Sequence, residues 1–142
     1  MYKKILVALE NGEADKRLLP HIRALASQVG AELLLLHVAD GWAARNFEQL
    51  KLAESDEMKA DGEYLKGRAD ELRAAGLTVD TLLALGNPPN EIVKAATAAG
   101  CDLIALASHG HKLIGDILHG STIDKVRHNT TVPLLVVSAV VK

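Results

Sequence analysis

Aromatic residues are scarce in this sequence: one Trp, two Tyr and one Phe make up 3% of it. That excludes a surface that stacks the bases of single-stranded nucleic acid, which needs exposed rings, and leaves the core to Leu, Val, Ile and Ala. Cysteine occurs once, at Cys101, so no internal disulfide can form and a reduced compartment is expected. Cys101 opens an apolar run and reads as a buried, inert thiol. There is no basic stripe: 16 Lys and Arg stand against 18 Asp and Glu, for a formal net charge of -2, so nucleic acid is not an expected partner. A membrane is not expected either. No apolar run approaches the ~20 residues that span a bilayer, and Ile5–Leu9 is too short for the core of a secretory leader. A cytoplasmic protein is the expectation.

What is present is apolar and alternating in period. The 142 residues, 49% of them apolar, suit a single domain, 1–142, that buries roughly 68% of its unfolded surface. Lys4–Leu9 reads as a buried strand ending at Asn11-Gly12. Leu18, Ile22, Leu25, Ala26 and Val29 then recur at helical spacing, from a start near Glu13 to a stop at Gly30, with Pro20 near the first turns or at a kink. Ala31–Ala39 is a second strand. Residues 42–46 read as irregular, and Phe47–Ala75 as a long helix with a polar first half that breaks or frays near Gly62. Leu77–Leu85 contains Thr78, Asp80 and Thr81 and suits an edge strand. Asn87 is an N-cap followed by Pro88, opening a helix with Ile92, Val93, Ala96 and Ala99 on its buried stripe and Gly100 as its stop. Asp102–Ala107 is a fourth strand, Ser121–His128 a helix, and Leu134–Val141 a last strand.

Strict alternation of strand and helix implies an α/β fold: an open five-stranded parallel sheet covered on both faces. Two strand orders are usual, 3-2-1-4-5 and 2-1-3-4-5, and ligands bind beyond the strand carboxyl ends where the order reverses. In the first, Ala8-Leu9-Glu10 and Ala107-Ser108-His109-Gly110 flank the crevice. In the second, strands one and three do.

The stretch from Ala105 to Thr122 is the one that carries chemistry. A strand end, a loop with Gly110, Gly115 and Gly120, and a helix start at Ser121-Thr122 form a common phosphate cradle, because loop and first-turn amides point at the anion. Other phosphate motifs fail. Gly110-x4-Gly115 lacks the Lys-Ser or Lys-Thr of a P-loop, and the first turn lacks Gly-x-Gly-x-x-Gly. Glu10 has no acidic partner at Leu85-Gly86 for a receiver domain, and no Gly-x-Ser-x-Gly elbow or Ser/His/Asp set is evident. His109, His111 and His119 are accompanied only by Asp116, so no metal site is expected. His37 reads as a satisfied structural residue.

Across essentially its whole length the chain resembles a universal stress protein of the UspA superfamily, in the ATP-binding branch. Lys4-Ile-Leu-Val7, Leu36-His-Val38, Gly86-x-Pro88 and Val132-Pro-Leu-Leu-Val-Val137 carry the likeness. So does the family's Gly-x2-Gly-x9-Gly-Ser/Thr motif, matched here by Ala107-Ser-His-Gly110, nine residues, then Gly120-Ser121. The resemblance implies the 3-2-1-4-5 order. It places Gly110, Gly120, Ser121 and Thr122 at the phosphates and Val38 at the adenine. Ala8, Leu9 and Glu10 fall at the strand-one end near the ribose, Ser108 and His109 lie inside the motif, and Lys112 lies within reach of the outer phosphates. Two residues depart from the pattern: Ala107 replaces the first motif glycine and Glu10 the usual aspartate. The Ala107 methyl either narrows the crevice floor or is harmless in an extended backbone.

The resemblance further implies a cytoplasmic stress-response protein binding ATP or another adenine nucleotide between strands one and four; Asp116 and Glu10 are the carboxylates placed to help a divalent ion such as Mg that the phosphates carry in. No general base is evident, so a ligand-dependent regulator with at most slow ATP hydrolysis is expected, rather than a fast enzyme. The nearly uncharged last strand, an edge in this order, invites pairing with another chain, and the resemblance implies that it pairs with its own copy in a homodimer through about Leu134–Val140. The alternative is a dimeric interaction module that binds no nucleotide.

Overall fold

The computed structural model describes residues 1–40, 51–108 and 120–139. Five parallel strands, β1 (Lys4–Ala8), β2 (Glu32–Asp40), β3 (Val79–Gly86), β4 (Leu103–Ser108) and β5 (Leu134–Ser138), form one sheet in the order β3-β2-β1-β4-β5. Four helices are described: α1 (Asp15–Val29), α2 (Lys51–Ala74), α3 (Pro88–Ala99) and α4 (Gly120–Asn129). The expected α/β class and the first of the two strand orders are therefore observed. The register runs Val7↔Leu35 toward β2 and Val7↔Ala105 toward β4.

Side chains alternate across the sheet, as they must in extended backbone. Ile5, Val7, Leu9, Leu33, Leu35, Leu103, Ala105 and Ala107 pack with Leu18 and Ile22 of α1 and with Leu65, Ala69 and Leu72 of α2. Leu6, Ala8, Leu34, Leu36, Val38, Ile104 and Leu106 pack with Ile92, Ala95 and Ala96 of α3 and with Val126 of α4. Both faces are dry, which is why β1, β2 and β4 read as unbroken apolar runs.

The helix ends follow local chemistry. Asn87 Oδ1 accepts the Asn90 N–H at 3.4 Å ahead of Pro88. Gly30 and Gly100 close α1 and α3 in the left-handed region (φ 72° and 69°), where a Cβ would be strained. Pro20 falls in the second turn of α1, near the first turns as expected. One expectation is corrected: α2 runs through Gly62 without a break. An interior glycine costs about 1 kcal/mol, but Asp61 and Leu65 on either side of Gly62 are buried, at 8% and 2% exposure, and tertiary docking overrides the local penalty. The last strand is also shorter than expected, ending at Ser138. The expected irregular stretch 42–46 and the helix start at Phe47 lie outside the described residues.

The edges are as expected. Asp80 and Thr81 of β3 face solvent, and β5 exposes Val136 at 43%. Cys101 is buried, and burial pushes its thiol up from the usual value.

Candidate functional site at the carboxyl ends of strands one and four

The order reverses between β1 and β4, so the crevice lies beyond Ala8 and Ser108. Ala8, Leu9, Val38 and Ala107 are all at most 5% exposed, while Glu10 and Ser108 are half-buried. α4 begins at Gly120, on the chain that returns from β4, and Thr122 in its first turn is buried. His109, Gly110 and Lys112, with His111, Asp116 and His119, lie outside the described residues.

The strand-end residues split between the two faces. Ala8 and Val38 share the packed cluster of α3 and α4, whereas Leu9 and Ala107 belong to that of α1 and α2. The Ala107 methyl is thus enclosed in the core beneath β4. Its backbone is extended, paired with Val137, and no positive φ falls there. An extended backbone is the condition on which the methyl is read as harmless.

Beneath the end of β1 lies a buried polar cluster. The Asp15 carboxylate, 1% exposed, accepts the Glu10 N–H at 3.0 Å, the Asn11 N–H at 2.9 Å and the Tyr64 hydroxyl at 2.6 Å. Burial, and then the hydrogen bond to Asp15, push the Tyr64 hydroxyl well above its usual value, so it stays protonated and donates. Arg68 sits 5.1 Å from the Tyr64 ring centroid. Beside this group, His37 Nδ1 lies 2.9 Å from the Leu9 carbonyl, and His37 Nε2 lies 3.4 Å from Asp61 Oδ2. Asn11 Nδ2 donates to Asp61 Oδ1 at 2.9 Å. Asn11 itself has φ 60°, a conformation that Asn tolerates better than most residues. His37 is thus the satisfied residue expected from its place in an apolar run.

These contacts decide what the first turn can do. The amides of Glu10 and Asn11 are committed to Asp15, so they are not donors for an anion. First-turn amides of α4, by contrast, point outward along the helix axis with the positive end of its dipole, and α4 has no acidic residue in its first turn.

Sequence reasoning missed Asn11, Asp15, Asp61 and Tyr64. One signal was available: Asp61 falls on the same helical stripe as Leu65, Ala69 and Leu72, and a carboxylate on an apolar stripe needs a buried partner. Among the described residues no group of three or more His, Cys, Asp or Glu could hold a metal ion, and no helix is long and apolar enough to cross a membrane.

Known proteins share this fold. The universal stress protein family matches residues 1–138. Universal stress protein MJ0577 of Methanocaldococcus jannaschii is 34% identical, covering 96% of this chain and 95% of its own length. A solved structure of MJ0577 superimposes with a TM-score of 0.82 at 29% identity, covering 100% of this chain and 99% of that one. Two further folds agree. A universal stress protein in complex with cAMP gives a TM-score of 0.71 at 19% identity, covering 98% of each chain. The Archaeoglobus fulgidus universal stress protein in complex with dAMP gives 0.65 at 20%, covering 95% of this chain and 97% of that one. With the fold, the strand order and the sequence match in agreement, this chain belongs to the universal stress protein family.

Proposed function

We propose that this chain binds an adenine nucleotide, ATP or a relative of it, across the carboxyl ends of β1 and β4. The observation that carries the reading is the division of donors around the crevice: the β1 turn has spent its amides on Asp15, and α4 opens at Gly120 on the other side. Phosphates therefore belong with Gly110, Gly120, Ser121 and Thr122, and with Lys112 as a counter-charge. The nucleoside lies toward β1 and β2, on the face that carries the apolar side chains of Ala8 and Val38. Leu9 and Ala107, directed to the opposite face, contribute backbone only. Glu10 sits at the ribose end in place of a shorter aspartate. Family members bound to cAMP and to dAMP support the ligand class.

The nucleotide acts as a regulatory ligand in a cytoplasmic homodimer. Mg enters with the phosphates, ATP hydrolysis is slow at most, and self-pairing of the exposed β5 edge makes the dimer. Glu10 is the observation that favours the second reading, an interaction module without nucleotide. Mass spectrometry of ligand released from freshly purified, denatured protein separates the two. Adenine nucleotide in amounts comparable to protein is expected, and its absence, with no thermal shift on adding ATP, supports the second reading. Gly120→Val is expected to abolish ATP binding in calorimetry, and unchanged affinity would remove the phosphate assignment.

A further inference from the structure

We propose that Asp61 and His37 are positioning residues that set the nucleoside end of this crevice from the opposite face of the sheet; the inference rests on the nucleotide reading above. The Leu9 carbonyl can only accept, so His37 Nδ1 carries the hydrogen between them. Nε2 of the same ring faces Asp61 Oδ2, and Asp61 Oδ1 takes the Asn11 side chain. Asn11 by its own hydrogen bond, and Leu9 by way of the His37–Asp61 contact, are thereby linked to the long helix α2 on either side of Glu10; with Nδ1–H given to Leu9, that contact closes as a hydrogen bond when Nε2 or Asp61 also carries a hydrogen. The remaining backbone donors of the segment are also committed: Leu9 N–H to the Leu36 carbonyl at 2.7 Å, and those of Glu10 and Asn11 to Asp15. Among the described residues, these ties at the backbone on either side of Glu10 come from β2, α1 and α2. His37 is also the chain neighbour of Val38, so the same bridge holds the residue beneath the base.

None of these groups reaches the α4 side. Asp61 and His37 lie on the α1 and α2 side, and the described members of the proposed phosphate cradle, Gly120, Ser121 and Thr122, lie on α4. A defect in the bridge should therefore weaken recognition of the nucleoside and leave the phosphate cradle intact.

Three variants test this, with ATP and inorganic tripolyphosphate as separate probes in calorimetry. Asp61→Ala is expected to weaken ATP about tenfold, the equivalent of one lost hydrogen bond to a charged group, with tripolyphosphate affinity unchanged. Asp61→Asn retains an acceptor for Asn11 and offers a donor to Nε2, and it restores most of the ATP affinity. Asn11→Gly removes the surface end of the bridge, keeps the positive φ and carries the test if Asp61→Ala fails to fold; it lowers ATP affinity in the same selective way. Equal loss of both probes, or unchanged ATP affinity in Asp61→Ala and Asn11→Gly, overturns the positioning role while wild-type ATP binding stands. A wild-type protein that binds neither probe overturns the nucleotide reading, and this inference with it.

Discussion

The two faces of the sheet solve the same packing problem differently. On the α3 and α4 face, the strands bury Leu6, Ala8, Leu34, Leu36, Val38, Ile104 and Leu106 against aliphatic helix residues. On the α1 and α2 face, an equally dry cluster ends in Asp15, His37 and Asp61, all at most 8% exposed. Dispersion and the hydrophobic effect hold the first face and are indifferent to pH. The second adds hydrogen bonds to carboxylates, which fix direction as well as contact. The polar side lies beneath the end of β1, where the chain must leave the sheet in a defined direction. An apolar contact would anchor that turn without orienting it. A carboxylate that takes two consecutive amides and a hydroxyl orients it.

The largest expected effects set the two faces against each other. Leu36→Ala should cost about 3 kcal/mol by cavity formation, with the same loss at every pH in urea titrations between neutral and mildly acid conditions. Asp15→Ala should cost about 1–2 kcal/mol, because it removes the acceptor of two part-buried amides and a hydroxyl. It should also broaden the amide resonances of Glu10 and Asn11 in NMR spectra, which Leu36→Ala leaves sharp. If Asp15→Ala proves neutral, the polar face is held by packing alone and the contrast fails.

A smaller effect reads the same cluster through Tyr64. Its hydroxyl ionises at higher pH in the folded chain than the usual value of 10.0. The contribution is therefore full below pH 10 and is lost as pH rises through the folded value. Wild-type stability should fall on going above pH 10, and Tyr64→Phe, at a cost of about 1 kcal/mol near neutrality, should fall less steeply in thermal melts.

The smallest lies at the opposite end of the strands. Asp102 accepts the Lys3 N–H at 2.8 Å and the Lys4 N–H at 3.0 Å. Its slight burial acts to raise its pKa, but those amides outweigh it and hold the carboxyl below its usual 3.8. This contribution is present above pH 3.8 and disappears as pH falls through the folded value. Because the group is solvent-exposed, Asp102→Ala should cost about 0.5–1 kcal/mol at pH 7 and nothing in strong acid, measurable as melting-temperature differences that close as pH falls.

Much of this molecule is legible along the chain. The apolar run of β1, the Asn87-Pro88 helix start, the glycine stops at Gly30 and Gly100 and the polar edge of β3 each follow from interactions within a few residues. The spacing from Ala107 to Gly120-Ser121 is equally local. Element ends were less legible: β5 ends before its apolar run does, and α2 ignores Gly62, because neighbours rather than propensity decide there.

The sequence by itself determined the alternation of strand and helix, hence a parallel sheet with two dry faces, and which strand residues share a face. Short-range sterics and the pleat suffice for that. Alternation alone left two strand orders open, and only the tertiary structure decided that Asp61 comes to lie between His37 and Asn11, partners distant in the chain. No local period encodes such a meeting. It arises when α2 docks its stripe on the sheet and the buried carboxylate on that stripe must find donors.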